Sequence, residues 1–288
     1  MLALGVRIPA PGGVYSMTFA LRTEVDPASS TARSDLDSSK VSVVIPAKNE
    51  AANIAWVLKN MPATVHEIVL VDGHSTDGTV EAATRERSDI VVTHEQQRGK
   101  GAALQAGFAT ATGDIVVMLD ADGSMHPAEI SRYIALLASG FDLVKGSRFM
   151  AGGASTDITT LRRLGNRGLL ALTNVMYGTR FTDLCYGFCA FRRTALSALA
   201  LSASGFEIET ELIVQATMAG LRISEVPSVE SPRRFGQSNL RTFRDGRRVL
   251  WTLLRERAAF RRSSARPNPI DLTDQTRNGD NVVLGSDT

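Results

Sequence analysis

The sequence predicts an α/β protein built on a mostly parallel sheet with helices on both faces. Short β-branched runs recur at Val41 to Ala47, Glu67 to Gly73, Ile90 to His94, Ile115 to Asp120 and Leu143 to Gly146, separated by helix-like segments. These runs are apolar almost end to end, as strands covered on both faces are. Polar, turn-forming residues gather just after them, at the sheet edge where such folds bind ligands.

Each helix has its own signal. Asn49 to Asn60 puts Ile54, Val57, Leu58 and Met61 on one face, and Asp77 to Arg87 and Gly101 to Thr110 are helical in pattern. Pro127 to Ser139 begins with proline in its first turn, where the missing N–H costs nothing. Residues 1–39, rich in Pro, Gly, Ser and Thr, are expected to be a disordered leader. Residues 40–262 form the domain, and 263–288 a disordered tail.

With 288 residues, 43% hydrophobic and 22% charged, the chain has ample apolar surface for a core, which excludes disorder throughout. No apolar run reaches the roughly 18 residues of a membrane span. The N-terminus lacks the apolar stretch of a signal peptide. Cys185 and Cys189 are too few for a disulfide scaffold and are expected to be packing residues, in a reducing, cytoplasmic setting. The four histidines show no ligand spacing. The net charge of +2 is uneven: between Arg233 and Arg266 eleven arginines against Asp245 and Glu256 leave that stretch at +9. Such a surface faces phosphate groups or a lipid headgroup layer.

The strand ends carry the chemistry. Asp120 and Asp122 flank Ala121 after the fourth strand and can aim two carboxylates at a hard divalent cation that bridges a nucleotide diphosphate; a solvated turn or helix cap is the alternative. Asp72, at the second strand terminus, can accept hydrogen bonds from a nucleotide base, or serve a turn, as Ser75 to Asp77 are expected to do. Lys100, in Arg98-Gly99-Lys100-Gly101, stands at a helix start suited to phosphates, or is simply solvated.

Four ordered motifs, Val43 to Glu50, Val71 to Thr79, Gly99 to Gly101 and Leu119 to Gly123, resemble those of family 2 glycosyltransferases with the GT-A fold, in register from about Lys40 to Arg257. Within that family the pattern is most similar to the dolichyl- or polyprenyl-phosphate mannose synthase group. The resemblance implies a nucleotide-sugar donor with base and ribose on Pro46, Lys48, Glu50, Leu70 and Asp72. It implies Mg²⁺ or Mn²⁺ and the diphosphate on Asp120 and Asp122, with Ala121 between them. Lys100 joins the nucleotide set. Arg148 of Gly146-Ser147-Arg148-Phe149, with Arg162 and Asn166, matches residues that hold an acceptor phosphate. Arg233, in Arg233 to Leu240, matches a loop that closes over the donor diphosphate. This sequence departs from the pattern at Gly73 (usually Asp), Lys48 (an aromatic), Ser124 (Gln), Asn166 (Ser) and Asn239 (Lys), which leaves Arg233 or Arg234 to neutralise the leaving group.

The expected activity is therefore transfer of a hexose, with inversion, from a GDP-mannose or UDP-glucose type donor to a polyprenyl phosphate at the membrane face. A phosphate nucleophile is already ionised; a hydroxyl acceptor needs a base, for which Asp183, Glu209 and Glu211 are the available carboxylates. A non-catalytic nucleotide or polyanion binder is the rival of a different class. On the segment Arg241 to Arg262 a helical wheel puts Arg241, Arg244, Arg247, Arg248, Arg255, Arg262 and Trp251 on one face. Phe243, Val249, Leu250, Leu253, Leu254 and Phe260 fall on the other. That apolar face can pack on the core, while Trp251 among arginines suits peripheral contact with the inner face of the cell membrane. Interleaved stacking aromatics are too few for nucleic acid to be the expected partner.

Overall fold

The computed structural model describes residues 39–237 and 240–264, and the backbone of a two-residue antiparallel pair, β1 (Val6–Arg7) with β2 (Ser16–Met17). The rest of the expected leader, the tail beyond 264, and Asn239 lie outside the described residues. The expected parallel strands are β3 (Val41–Ala47), β4 (Glu67–Asp72), β5 (Val91–His94), β6 (Ile115–Met118) and β7 (Leu143–Ser147). The helices between them are α1 (Ala51–Lys59), α2 (Thr79–Glu86), α3 (Lys100–Thr110) and α4 (Ile130–Ala138). A single 3₁₀ turn, Pro127–Glu129, precedes α4 because the His126 ring accepts from the Ala128 amide and tightens the entry.

Five further elements follow: the short strand β8 (Ala154–Ser155), the long helix α5 (Thr160–Tyr177), β9 (Cys189–Arg192), the single turn α6 (Arg193–Leu196) and α7 (Ile208–Met218). Strands β10 (Ile223–Pro227) and β11 (Val229–Glu230) then lead to α8 (Thr242–Ser264). The seven-stranded sheet has the order β10-β7-β9-β6-β3-β4-β5. All its pairings are parallel except those of β9, which runs antiparallel between β6 and β7.

Strand alternation explains the two-layer core. Val43 and Ile45 of β3 pack with Ile54 and Leu58 of α1 and Tyr133 and Leu137 of α4. Val44, one residue out of phase, joins Leu104 and Phe108 of α3 and Leu212 of α7 on the opposite face. Each such fully buried aliphatic side chain contributes about 1.5–3 kcal/mol. Helix α3 lies so close to the sheet that a Cβ at Gly107 would stand 2.3 Å from Val44 Cγ1, so only glycine fits there.

The C-terminal helix corrects the expected wheel. Val249 and Leu253 are buried, but Phe243, Leu250 and Leu254, assigned to the same side, are exposed, Phe243 by 81%. The inward face is completed by Asp245, Thr252 and Glu256, anchored in part by Arg255 to Glu256 and Glu211. At 100° per residue, Phe243, Leu250, Trp251 and Leu254 form a stripe opposite that buried face. Among the described residues no helix is long and apolar enough to cross a membrane.

Candidate active site

The ends of β3, β4 and β6 bring the three polar clusters to one sheet edge. There they line one end of a cavity of about 550 Å³ that includes Pro46, Lys48, Glu50, Gly73, Asp120, Ala121 and Asp122. The two loops after β3 and β4 are locked together. Asn49 and His74 both take left-handed backbone (φ 57° and 65°). The Asn49 amide donates to Ser75 Oγ at 2.9 Å, and Asn49 Oδ1 accepts from the Thr76 amide at 2.9 Å. Asp77 accepts from the Ala51 amide at 3.0 Å and from the Thr79 amide at 3.1 Å, so it caps α1 across the loops as well as its own turn. These hydrogen bonds hold its carboxyl below the ordinary range against the opposing effect of burial.

Asp120 is not free. The Lys100 ammonium stands 2.6 Å from Asp120 Oδ1 and 2.7 Å from Glu209 Oε1, with its side chain 10% exposed. Burial disfavours the Lys100 charge, but the two carboxylates outweigh it and raise its proton affinity. Burial likewise raises that of Glu209. Gly187 makes room for this triad, since a Cβ there would meet Glu209 and Lys100 at 2.8 Å each. Lys100 thus orients Asp120 rather than standing as a solvated helix-start lysine.

Asp122 accepts from the Ser124 amide at 3.0 Å through Oδ1, which leaves Oδ2 without a partner among the described residues. Two hard carboxylate oxygens at one strand end fit Mg²⁺ or Mn²⁺. No group of three or more His, Cys, Asp or Glu gathers among the described residues, so a cation here would take its remaining ligands from phosphate and water. Opposite them, Arg233 pairs with Glu50 and donates to the carbonyls of Phe235 at 2.9 Å and Gln237 at 2.8 Å. Asn53 exchanges two hydrogen bonds with the Phe235 backbone. Arg234 lies 4.4 Å from the Trp56 ring centre, and its amide donates to the Asp122 carbonyl at 3.2 Å. This loop is therefore pinned onto α1 beside the carboxylates.

The remaining expected site residues already have partners within the protein. Leu70, assigned to the nucleotide, is 0% exposed in mid-strand, packed in the core beneath the site. Asp72 does turn chemistry as well as marking the strand end: both its oxygens accept from the Ser75 amide, at 3.2 and 3.3 Å, and the His94 ring stands 3.5 Å away. Arg148, assigned to an acceptor phosphate, is saturated. It donates to Asp183 at 2.7 and 3.0 Å, to both oxygens of Glu230 at 3.2 Å and to the Cys185 carbonyl at 2.6 Å. Asn166 is equally occupied, donating to Asp183 at 3.1 Å and accepting from the Cys185 amide at 3.1 Å.

Of the three candidate bases, Asp183 is wholly buried and, despite the cost of burial, is held below its ordinary range by Arg148. Glu211 is buried against Ser202, Ala203 and Arg255, away from the cavity. Only Glu209 lines the cavity. Cys189 is a core residue, and Cys185 lines the cleft with its thiol pushed up to about 12 by burial, which leaves it unreactive.

The far end of the same cavity is bordered by α5 and α8. Helix α5 contributes Arg162, Gly165, Asn166 and Leu169; α8 and the residue before it contribute Arg241, Arg244, Arg248 and Val249. The helices run side by side in the same direction, tied at one end by Arg162 Nη2 donating to the Leu240 carbonyl at 3.3 Å and at the other by Tyr177 Oη donating to the Leu253 carbonyl at 2.7 Å. The sequence put Arg241 and Arg244 on a basic face, and the packing of α8 alongside α5 is what brings them to the border of this cavity.

A strand-edge pair of carboxylates backed by a buried lysine has the chemistry to take a divalent cation and, through it, a phosphate-bearing ligand. Residues 42–200 match the family model described as glycosyl transferase family 2. The chain is 33% identical over 220 residues to "Glycosyltransferase AglJ" of Haloferax volcanii, a match covering 75% of this chain and 71% of that protein. It is 29% identical over 211 residues to the dolichol-phosphate mannosyltransferase of Pyrococcus furiosus, covering 70% of this chain and 59% of the relative. Among solved structures it is similar to glucosyl-3-phosphoglycerate synthase from Mycobacterium tuberculosis in complex with Mn²⁺, UDP and phosphoglyceric acid. There the TM-score is 0.63 at 25% identity, over 80% of this chain and 82% of that one. The same enzyme was also crystallised with Mg²⁺ and UDP. The chain belongs to glycosyl transferase family 2. It is a glycosyltransferase with the GT-A fold.

Proposed function

We propose that the enzyme transfers a hexose, with inversion, from a nucleotide-diphosphate sugar of the GDP-mannose or UDP-glucose type to a polyprenyl phosphate at the membrane face. The observation that carries this reading is the continuity of one cavity from Asp120 and Asp122 to the arginine-lined gap between α5 and α8. Both helices bear exposed apolar residues: Leu161 and Leu164 on α5, and Phe243, Leu250, Trp251 and Leu254 on α8. Exposed aromatics and leucines beside Arg244 and Arg247 suit a headgroup layer. The similarity to a dolichol-phosphate mannosyltransferase supports the same acceptor class.

In the reaction a phosphate oxygen of the acceptor attacks the anomeric carbon from the side opposite the nucleotide. The bond from that carbon to the diphosphate oxygen breaks, and the electron pair leaves with the nucleoside diphosphate. Mg²⁺ or Mn²⁺, held by Asp120 and Asp122, would stabilise that developing charge. Lys100 fixes the Asp120 carboxylate, and Arg233, exchanging Glu50 for the departing phosphate, adds a cation where charge accumulates. Pro46, Lys48 and Gly73 line the nucleotide end, with Asp72 buried in the turn behind Gly73. No base is needed for an ionised phosphate.

A soluble hydroxyl acceptor is the second reading, favoured by Glu209, a cavity carboxylate whose raised proton affinity suits a general base. The structural relative bound to phosphoglyceric acid supports it too. Incubating the protein and Mn²⁺ with radiolabelled UDP-glucose or GDP-mannose, against farnesyl phosphate or phosphoglyceric acid, separates them. Label in a solvent-extractable farnesyl product supports the first; label only in a water-soluble product overturns it.

A further inference from the structure

The adjacent arginines of the loop after β11 face different ways. Arg233 lines the cavity, with its guanidinium on Glu50. Arg234 lies outside that lining: its guanidinium carbon sits over the Trp56 ring, 4.4 Å from the ring centre, and the group makes no hydrogen bond or ion pair among the described residues. The Trp56 ring meets His126 edge-on, with centres 5.3 Å apart and planes at 83°. Glu50, Asn53 and Trp56, spaced three apart from the N-cap of α1 onward, thus hold Arg233, the Phe235 backbone and Arg234. The loop held in this way is fastened to the residues around Asp122. The Arg234 amide donates to the Asp122 carbonyl at 3.2 Å, the Ser231 amide donates to the Ser124 carbonyl at 2.9 Å, and Met125 forms a bridge with Glu230. Gly123 fits between loop and helix, where a Cβ would stand 2.8 Å from Arg234 Cδ and 3.2 Å from Trp56 Cε3.

We infer that Trp56 and Arg234 are positioning residues, which act as one stacked unit from outside the cavity to set the Asp122 carboxylate for the divalent cation. This rests on the reading of Asp120 and Asp122 as the cation's carboxylates. The two carboxylates are supported differently. Asp120 is gripped through its side chain by Lys100. The Asp122 side chain has one bond, from the Ser124 amide of its own loop, so its distance from Asp120 is set by where that loop's backbone lies. The Arg234 amide fixes that backbone, and the Trp56 face fixes Arg234. A planar, delocalised guanidinium suits an indole face, since its charge and its plane both contribute to the contact. Cation ligands must be placed to within about 0.5 Å, so a loosened stack costs the cation before it costs the fold.

The test is Mn²⁺ affinity of the full chain, read from the loss of the free-Mn²⁺ EPR signal in the presence of UDP or GDP, whichever calorimetry shows to bind, with urea unfolding alongside. Arg234→Ala and Trp56→Leu should each weaken Mn²⁺ binding tenfold or more. The double variant should be no more than twofold weaker than the weaker single, because the pair acts as a unit. Trp56→Phe, which keeps a ring face, should recover part of the loss. Trp56 packs partly on the core, so Trp56→Leu also lowers the unfolding midpoint. Arg234 is exposed, and Arg234→Ala should leave that midpoint unchanged. In an Asp122→Ala background, adding Arg234→Ala should change the residual Mn²⁺ affinity by less than twofold, a readout that general loosening of the site would not give.

Unchanged Mn²⁺ affinity in Arg234→Ala would overturn the positioning role, as would losses that add in the double variant. So would a further loss of tenfold or more when Arg234→Ala is placed on Asp122→Ala, since the stack would then act on something other than Asp122. Failure of the underlying reading looks different: wild type that takes up no Mn²⁺ with either nucleotide removes the carboxylate site and the inference together. Mn²⁺ bound by wild type, lost in Asp122→Ala and kept in Arg234→Ala removes the inference alone.

Discussion

At the donor end of the cleft Lys100 bridges Asp120 Oδ1 and Glu209 Oε1, Arg233 is held by Glu50, and Asp120 and Asp122 each keep an Oδ2 without a partner among the described residues. At the acceptor end the buried charges are already paired, Arg148 with Asp183 and Glu230 and Lys145 with Glu225, while Arg241, just before α8, and Arg244, on it, are exposed. The donor end thus presents spare carboxylate oxygens alongside an unpaired Lys48, and the cavity's other lining includes spare guanidinium groups alongside an unpaired Asp157. A cation with a diphosphate complements the first, and a phosphate complements the second. The difference also separates two uses of a charge: a saturated one fixes a loop, and an unsaturated one can bind.

The sharpest way to break this comparison is to remove the spare carboxylate. Asp122→Ala should lower glycosyl transfer by about a thousandfold and abolish metal-dependent nucleotide binding. Calorimetry with UDP and GDP, each with Mn²⁺ and with EDTA, reads this directly. Next in size is the saturated pair. Asp183→Ala leaves Arg148 buried with only Glu230 opposite it and should cost about 3–5 kcal/mol in urea unfolding. If transfer is lost while stability is kept, the pair acts on substrate and the comparison fails.

That pair also sets an acid limit. Asp183 is held below its ordinary value of 3.8, so its stabilising contribution is complete above that value. It is lost as the pH falls through the depressed folded value, and urea midpoints should drop below about pH 4. In Asp183→Ala this component of the acid loss should be missing.

Smaller again is Asp77→Ala, which removes a cap shared by two loops and should cost about 1 kcal/mol, with donor affinity reduced through the loosened Lys48 loop. Smallest in stability is Phe243→Ser with Trp251→Ser. These side chains are exposed, so unfolding should move by less than about 0.5 kcal/mol. Sedimentation with anionic vesicles should nonetheless fall sharply, and unchanged sedimentation would remove the membrane from the reading of α8.

The donor end was legible in the sequence because each of its parts follows a strand within a few residues, and apolar runs announce strands. The burial of the Leu70 side chain was not legible there, because two positions before the strand end it already faces the core. The acceptor end was not legible. Strand β9 reads only Cys-Ala-Phe-Arg, with no β-branched residue to mark it. Its placement between β6 and β7 brings the loop at 182–186 under Arg148. The match of Arg148 and Asn166 to phosphate-binding positions gave no hint that Asp183 and the Cys185 backbone satisfy both. The α8 wheel also misled, since buried Asp245 and Glu256 occupy the face that a hydropathy pattern assigns to solvent.

The most direct test is transfer itself: wild type and Asp122→Ala, with labelled UDP-glucose and GDP-mannose, farnesyl phosphate, and Mn²⁺ or EDTA. A solvent-extractable labelled product from one donor, formed only by wild type with Mn²⁺, is the expected result. Equal product in EDTA or in Asp122→Ala would contradict the metal-bearing carboxylate edge, and no extractable product from either donor would contradict the lipid-phosphate acceptor.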